Sequence, residues 1–256
     1  MNKLEKFAAM KTYENVFEPK IERTFYQEGG GKHVLEDLMA RVGERRLCLE
    51  LGCGRGEYTV ALAHEDKTTF YVGVDIKGAR MYTGATEAIE TGVENCAFLR
   101  TRIELIDVFF PEESVDEVWI TFPDPQMSNA RKRLTSTYFM KRYARFLKKG
   151  ARVHLKTDSN FLFTYTCEML KANGIEALAK TSDLYGEEER EDLPRSLRTI
   201  QTAYEKQWLS RGLTIKYLSF VAPMRADALE EPNVEIELDA YRSYGKTQNS
   251  TLKKHA

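Results

Sequence analysis

The sequence has few cysteine and histidine residues, and they follow no metal-binding or disulfide pattern. The four cysteines include no CxxC pair, and the four histidines are widely separated. Zinc sites and disulfide-rich domains need closely paired residues of these types. We therefore predict no metal site, and we expect Cys48 and Cys96, which lie in apolar runs, to be core thiols.

Long apolar stretches are also missing. No run of 18 or more apolar residues occurs, and the first twenty residues contain no apolar segment of the secretory type. A membrane-spanning helix needs about 20 such residues, and a signal peptide needs about 7–15. We expect a cytoplasmic protein without membrane contact.

Charge is nearly balanced over the whole chain, with a net charge of −1. Between residues 125 and 157, however, ten Lys or Arg residues occur without any Asp or Glu. A basic sector of this kind favours a face that attracts phosphate groups. A lysine-rich solvated helix is the alternative.

The order of segments is typical of an α/β protein. Apolar strand-like segments alternate with amphipathic ones, which predicts a mostly parallel sheet covered by helices on both faces. We predict an N-terminal arm at 1–31, a central domain at 32–222 and a C-terminal extension at 223–256. The predicted strands are 46–51, 69–75, 97–99, 115–121, 151–157 and 213–221, with a weak one at 234–238. The predicted helices are 32–42, 77–91, 137–147 and 161–172, and one that runs from the glycine turn to about 64.

A glycine-rich turn follows the first of these strands. Gly52, Gly54 and Gly56 are separated by single residues, and glycine permits a sharp turn and the close approach of a ligand to the backbone. Glu50 precedes the turn, and Asp75 ends the next strand, where a carboxylate accepts hydrogen bonds from ribose hydroxyls. The set resembles the S-adenosylmethionine site of Rossmann-like methyltransferases. A dinucleotide site is the competing interpretation, but it would need the spacing GxGxxG.

A second motif, Phe122-Pro123-Asp124-Pro125, follows the predicted strand 115–121. The two prolines restrict the backbone on either side of Asp124. A carboxylate held in this way can accept hydrogen bonds from the ring and exocyclic N–H groups of guanine. The N7 atom of guanine carries a lone pair and no proton, so its methylation needs orientation rather than a general base. We interpret Asp124 as a positioning carboxylate; a loop cap is the alternative.

Three further motifs follow in order. Arg131-Lys132-Arg133 comes after the FPDP motif, and Thr157-Asp158 ends the next strand. Thr202-Ala203-Tyr204-Glu205 precedes Arg211-Gly212 and the last strand. From Leu47 to Val221 the chain resembles the bacterial tRNA (guanine-N7)-methyltransferase family, whose target is the guanine of the variable loop.

The resemblance implies a Rossmann-like methyltransferase fold, with a mostly parallel seven-stranded sheet and helices on both faces. It implies S-adenosylmethionine as the methyl donor, S-adenosylhomocysteine as the product and tRNA as the partner, in a monomer or a homodimer. It makes Asp124 the catalytic residue. Contacts to the cofactor are implied for Glu50, Gly52, Gly54, Gly56, Asp75, Ile76, Arg102 and Asp124. Contacts to the substrate are implied for Ser128, Arg131, Lys132, Arg133, Asp158, Thr202, Tyr204 and Glu205.

The chain departs from the family after the FPDP motif. Gln126 and Ser128 stand where the family has Trp and Lys, and the loop is shorter. We expect Arg131 to take over the substrate contact of the missing lysine. The acid that the family has near the adenine corresponds here to Thr101 or Arg102.

Three other functions fit parts of the pattern. A methyltransferase that acts on a protein or small-molecule nitrogen would have no use for the basic sector. A non-catalytic RNA-binding relative would not need the intact glycine turn together with Asp124. A dinucleotide-dependent oxidoreductase is disfavoured by the glycine spacing.

Overall fold

One mixed sheet forms the centre of the protein. The structure is a computed structural model that describes residues 1–20, 35–188 and 190–241. The described residues form eight strands in the order β1-β4-β3-β2-β5-β6-β8-β7, and β8 runs antiparallel to both of its neighbours, β6 and β7. The strands are β1 (Val16–Phe17), β2 (Arg46–Leu51), β3 (Thr69–Asp75), β4 (Cys96–Arg100), β5 (Val115–Thr121), β6 (Leu147–Thr157), β7 (Ala177–Thr181) and β8 (Lys216–Val221).

Helices cover both faces of this sheet. The helices are α1 (Lys3–Met10), α2 (Glu36–Val42), α3 (Glu57–Glu65), α4 (Gly78–Glu90), α5 (Ile106–Phe109), α6 (Thr137–Tyr143), α7 (Asn160–Ala172), α8 (Ser196–Thr199) and α9 (Ala203–Leu209). Successive strand residues point to opposite faces, so Leu49 packs with α2, α6 and α7 while Cys48 packs with α1, α3 and α4. Both faces are therefore apolar, as a sheet covered on two sides requires. No helix in the described ranges has the length and apolar character needed to span a bilayer.

The predicted alternation of strands and helices is confirmed, with corrections at several boundaries. The helix predicted at 137–147 ends at Tyr143, and β6 begins at Leu147 rather than at residue 151. The early part of β6 pairs with β5 through an irregular register, and Gly150 adopts a φ of +84° there. Glycine adopts this backbone conformation without steric cost, which lets one strand continue through a polar Lys-Lys-Gly segment.

Residues assigned to the N-terminal arm form regular structure. The Asn2 side chain accepts hydrogen bonds from the backbone of Leu4 and Glu5, and the Glu5 carboxylate accepts one from the Asn2 N–H, so a capping box starts α1. Helix α1 packs against α4, and β1 extends the sheet by pairing with β4. Seven strands were expected, and the described residues form eight. Strand β1 was not predicted because its two residues show no alternating pattern.

The structure differs from the strand prediction at two other places. Strand β7 lies at the sheet edge and was not predicted, since its sequence, Ala-Leu-Ala-Lys-Thr, begins with three apolar residues instead of an apolar–polar alternation. Residues 234–238, predicted as a weak strand, have no regular secondary structure. The first residues of the helix predicted at 32–42 lie outside the described ranges.

The C-terminal segment from Ala222 to Tyr241 runs along α6 and α7. Glu231 accepts hydrogen bonds from the backbone N–H and hydroxyl of Thr137, at 3.0 and 2.6 Å, and from the Tyr165 hydroxyl at 2.5 Å. Asp239 accepts a hydrogen bond from the Phe161 N–H at 3.1 Å, in the first turn of α7. The segment is therefore tied to the same core as the central domain.

We expect Gly56→Ala to destabilise the protein more than Gly92→Ala. The two glycines have φ angles of +77° and +66°, which cost an alanine about 1–2 kcal/mol. A Cβ atom at Gly56 would also lie 2.5 Å from the Phe98 ring, whereas one at Gly92 would meet no atom within 4 Å. Overpacking adds about 1–3 kcal/mol. Urea unfolding measures both losses, and equal losses would contradict this packing.

Candidate active site

Four neighbouring parallel strands, β3, β2, β5 and β6, end at one edge of the sheet. Open α/β sheets bind ligands outside this carboxyl edge. The glycine turn follows β2, Asp75 ends β3, the FPDP motif follows β5 and Asp158 follows β6. Motifs that are distant in sequence are therefore neighbours in the fold.

The glycine turn presents open backbone at this edge. Gly52 and Gly54 have φ angles of +84° and +57°, a conformation that side chains other than glycine rarely adopt. A Cβ atom at Gly52 would meet no atom within 4 Å, and one at Gly54 would touch only the Gly52 carbonyl, at 3.9 Å. The space above the turn can therefore receive a ligand.

Asp75 is fixed beside the glycine turn by two backbone groups. Its Oδ2 atom accepts a hydrogen bond from the Gly54 N–H at 3.0 Å, and its Oδ1 atom accepts one from the Lys77 N–H at 2.7 Å. A carboxylate oxygen can accept a second hydrogen bond, so Asp75 keeps acceptor capacity for a ligand. Ile76, next in the chain, has half of its side chain exposed.

Thr101 and Arg102 correspond to the acid that the family has near the adenine, and they lie in different environments. Thr101 is buried, and its N–H donates a hydrogen bond to the Asp75 carbonyl at 3.2 Å. Arg102 is exposed at the start of the following loop. Only Arg102 is therefore accessible to a ligand in this structure.

Glu50 is buried under the glycine turn. Its Oε1 atom accepts a hydrogen bond from the Thr121 hydroxyl at 2.5 Å, and its Oε2 atom accepts one from the Thr59 hydroxyl. Burial raises the pKa of Glu50 to about 7, against the effect of these hydroxyl groups. The carboxyl group thus links β2, α3 and β5 from inside the protein.

The FPDP loop has a strained and well-defined backbone. Phe122, the first residue of the motif, and Gln126, the residue directly after it, have φ angles of +47° and +48°, which are uncommon for residues other than glycine. The Gln126 N–H donates a hydrogen bond to the Asp124 Oδ1 atom at 3.0 Å. Pro123 and Pro125 are buried while Asp124 is exposed. The loop therefore presents a carboxylate of fixed direction to solvent.

Arg133 holds the far side of this loop. Its guanidinium donates hydrogen bonds to the carbonyls of Gln126 and Met127, at 3.2 and 2.9 Å. The same group stacks on the rings of Phe161 and Tyr165, 4.8 and 4.3 Å from their centroids. Arg133 is buried, so it stabilises the loop that carries Asp124.

Helix α9 carries the Thr202-Ala203-Tyr204-Glu205 motif to the same edge. The Thr202 hydroxyl caps the helix by accepting a hydrogen bond from the Glu205 N–H at 3.1 Å. Tyr204 is 37% exposed. Its ring meets the Phe122 ring edge-on, with 5.7 Å between the two ring centroids. Glu205 is buried against Lys156. Burial lowers the pKa of Lys156 and raises the pKa of Glu205, and the attraction between the two charges opposes both shifts.

Asp158 belongs to a buried polar cluster at the end of β6. Its carboxylate accepts a hydrogen bond from the Tyr241 hydroxyl at 2.6 Å, and its carbonyl accepts one from the Lys216 ammonium at 3.0 Å. The side chain of Asp158 is fully buried. The C-terminal segment is therefore part of the wall beside the FPDP loop.

Comparison with known proteins identifies the family. A family model described as "Putative methyltransferase" matches residues 44–218. A tRNA (guanine-N(7)-)-methyltransferase of Bacteroides fragilis is 50% identical over 98% of this chain and 97% of its own. One of Porphyromonas gingivalis is 52% identical over 80% of this chain and 82% of its own. The chain belongs to the tRNA (guanine-N(7)-)-methyltransferase family.

Solved structures support the fold. A 16S rRNA methyltransferase, KamB, superposes with a TM-score of 0.54 at 13% identity, over 80% of this chain and 96% of its own. An antibiotic-related methyltransferase gives a TM-score of 0.52 at 18% identity, over 72% of this chain and 92% of its own. At such identities the likeness concerns the fold, and it confirms the predicted Rossmann-like methyltransferase architecture.

Some positions that carry the family resemblance are exposed, and others make hydrogen bonds within the protein. Ser128, Arg131 and Lys132 are exposed next to the FPDP loop. Arg133, Asp158, Thr202 and Glu205 make internal hydrogen bonds instead. The structure thus brings all the predicted residues of this methyltransferase to one edge, but not all of them to its surface.

The basic sector at 125–157 is not a continuous positive surface. Asp107 binds both Arg142 and Arg145, at 2.7 and 2.6 Å, and Asp116 binds Lys148 at 2.9 Å. These acids come from outside the sector. The basic residues of the sector that remain exposed without an acidic partner among the described residues are Arg131, Lys132, Lys149 and Arg152.

Several residues of the site were missed by sequence reasoning. Thr59 and Thr121 hold Glu50, and Tyr241 holds Asp158, but single hydroxyl residues carry no recognisable spacing. Lys156 was counted with the basic sector. Its position inside the apolar strand segment VHLKT was the available signal that it is buried.

We expect the stability of Glu50→Gln relative to the wild type to change with pH. The folded pKa of Glu50 is raised from 4.5 to about 7. The stabilisation that it contributes is therefore fully present below pH 4.5 and is lost as the pH rises through 7. A shift of this size corresponds to about 3 kcal/mol, and glutamine, which mimics the protonated form, avoids the loss.

Urea unfolding at pH 5 and pH 8 measures this effect. From pH 5 to pH 8, the free energy of unfolding of the variant should rise relative to that of the wild type by about 2–3 kcal/mol. Glu104→Gln, at an exposed carboxylate, is the control and should follow the wild type. An identical difference between Glu50→Gln and the wild type at both pH values would show that Glu50 is ionised in the folded state throughout.

Proposed function

We propose that the protein transfers a methyl group from S-adenosylmethionine to N7 of a guanine in tRNA, namely the guanine of the variable loop. The main observation behind this proposal is the Asp124 carboxylate, which is held by the Gln126 N–H at the same sheet edge as the glycine turn. The names of relatives that are up to 52% identical support the same reaction. A tRNA substrate would place the reaction in the cytoplasm.

The residues of the glycine turn fit S-adenosylmethionine. Gly52 and Gly54 leave room for a ligand against the backbone, and Asp75 retains acceptors for two ribose hydroxyls. Ile76 offers an exposed apolar side chain to the adenine. When bound, S-adenosylmethionine supplies an electrophilic methyl group on a sulfonium. Glu50 supports this turn from below through Thr59 and Thr121.

Asp124 would orient the guanine. Its carboxylate accepts a hydrogen bond from Gln126, and no other described group hydrogen-bonds to it. The remaining lone pairs can accept the ring N–H and the exocyclic amino group of guanine. Methylation at N7 removes no proton, so the protein needs to hold the lone pair in line with the methyl group. Orientation of this kind contributes about 7–11 kcal/mol in favourable cases.

The exposed residues around Asp124 would bind the rest of the nucleotide. Tyr204 presents a partly exposed ring on which a base can stack, a contact worth about 1–3 kcal/mol. Arg131 lies over the Tyr138 ring at 5.0 Å, which limits the positions of its guanidinium. Arg131 and Lys132, together with the Ser128 hydroxyl, suit phosphate oxygens.

We expect Asp124→Asn to lower methyl transfer to tRNA by about 10²-fold or more, because the amide cannot accept both guanine N–H groups. Mass spectrometry of nucleosides, after incubation of unmodified tRNA with S-adenosylmethionine, measures 7-methylguanosine. Glu94→Gln is the control. It makes the same charge change at an exposed residue before β4, at the opposite sheet edge, and should match the wild type.

Other outcomes would select other functions. Methyl transfer to protein or to small amines, with no labelled tRNA, would reject the proposal. Absence of S-adenosylmethionine binding in calorimetry, with tRNA binding intact, would favour a non-catalytic RNA-binding relative. Full activity of Asp124→Asn would remove this carboxylate from guanine orientation.

We expect Arg131→Ala to weaken tRNA binding and to reduce its dependence on salt. Loss of one phosphate contact lowers the slope of log K against log salt by about 0.7–0.9. Lys149→Ala is the control, since Lys149 is also exposed but lies near the start of β6, away from the carboxyl edge. Filter binding over a range of salt concentrations measures both slopes. Equal slopes for the two variants would exclude a specific phosphate contact of Arg131.

A further inference from the structure

We propose that Lys156 is a positioning residue of the guanine site, and that Glu205 acts through it rather than on the substrate. In this arrangement the buried Lys156 side chain fixes α9 relative to the FPDP loop. The inference rests on the proposed function, because it concerns how the same site holds its guanine. No motif considered in the sequence assigns Lys156 to the site.

The Lys156 ammonium has a complete set of internal partners. It donates hydrogen bonds to the Leu197 and Ile200 carbonyls at 2.7 and 3.1 Å, and it contacts both oxygens of Glu205 at 2.8 and 2.9 Å. The side chains of Lys156 and Glu205 are both fully buried. An ammonium can make three hydrogen bonds, so no donor is left for a ligand.

The backbone of Lys156 holds the other half of the site. Lys156 pairs with Thr121 in the register of β6 and β5, and its carbonyl accepts a hydrogen bond from the Phe122 N–H at 2.8 Å. Phe122 is the first residue of the FPDP motif, and its φ angle is +47°. Lys156 therefore contacts the start of the FPDP loop through its backbone and the α8–α9 segment through its side chain.

The burial of Glu205 determines the direction of Tyr204. Besides Lys156, Glu205 receives a hydrogen bond from the Tyr185 hydroxyl at 2.7 Å. Adjacent residues on a helix point about 100° apart, so an inward Glu205 leaves Tyr204 at the surface, against the Phe122 ring. A displaced Glu205 would shift both the stacking ring and the strained loop beneath it.

A buried ion pair of this kind is not required for stability. Replacement of such pairs by apolar residues of similar volume is often neutral or stabilising, whereas removal of one partner leaves an unpaired charge. Polar partners can instead fix one arrangement among several apolar alternatives. We assign this role to Lys156, because its four contacts define the position of α9 more narrowly than apolar packing would.

The test is the double variant Lys156→Met/Glu205→Leu, which keeps the volume and leaves no unpaired charge. We expect it to fold and to bind S-adenosylmethionine like the wild type in calorimetry. We expect its kcat on tRNA to fall by about 10²-fold, the cost of a misplacement of about 1 Å. The KM for tRNA should change much less, since the exposed basic residues remain.

A matched control changes an ion pair on the same two strands, β5 and β6, at the sheet edge opposite to the FPDP loop. Lys148 and Asp116 form an ion pair at 2.9 Å near the starts of β6 and β5. Lys148→Met/Asp116→Asn should retain the kcat of the wild type. Lys156→Gln/Glu205→Gln, which keeps part of the hydrogen bonding, should give a kcat between those of the wild type and the methionine–leucine variant.

Three results would overturn the inference. They are a wild-type kcat in the methionine–leucine variant, a parallel loss of S-adenosylmethionine binding, and a loss confined to KM. If that variant does not fold, the glutamine pair decides, and a wild-type kcat in it would reject the role of Lys156. Failure of the wild type to methylate tRNA would instead reject the proposed function.

Discussion

The parallel pairing of β5 with β2 on one side and β6 on the other is the constraint on which the site depends. It brings the glycine turn and the FPDP loop side by side, although about seventy residues separate them in the chain. Glu50 reinforces this pairing, because its buried carboxyl group accepts hydrogen bonds from β5 and from α3. The glycine turn and the FPDP loop are therefore joined beneath the surface by a buried carboxyl group.

Charge in the sequence and charge on the surface differ in this protein. The sector at 125–157 contains no acid, yet Asp107, Asp116 and Glu205 reach its basic residues from other elements. A sequence window records only the neighbours along the chain, whereas an ion pair depends on neighbours in space. Of the basic residues that stay exposed without an acidic partner among the described residues, Arg131 and Lys132 lie next to the FPDP loop. This fits a net charge near zero, because a local patch is enough to steer an anionic substrate.

The alternation of strands and helices, and the sheet edge at which the motifs meet, were predictable from the sequence, because they follow from hydrophobic periodicity and glycine spacing. Strands β2, β3 and β5 were predicted at their observed bounds. The eighth strand, β1, and the edge strand β7 were not predicted, since two or five residues in a polar context produce no clear pattern. The contacts of single polar residues escaped prediction for a different reason. Whether Asp158 faces a nucleotide or Tyr241 depends on a segment eighty residues later.

The residues that support the FPDP motif show that basic residues close to a motif need not be exposed to a substrate. Phe122 and Gln126 occupy positive-φ conformations, each with a cost of about 1–3 kcal/mol that the surroundings must offset. On one side of the loop, the Arg133 guanidinium offsets this cost by donating hydrogen bonds to two carbonyls. On the other side, the Lys156 carbonyl accepts a hydrogen bond from the Phe122 N–H. Both residues are basic, and both lie in the basic sector at 125–157. The Arg133 guanidinium donates to carbonyls of the loop, and the Lys156 ammonium contacts Glu205 inside the protein. Neither charge is presented to solvent, and both residues instead support the loop that carries Asp124.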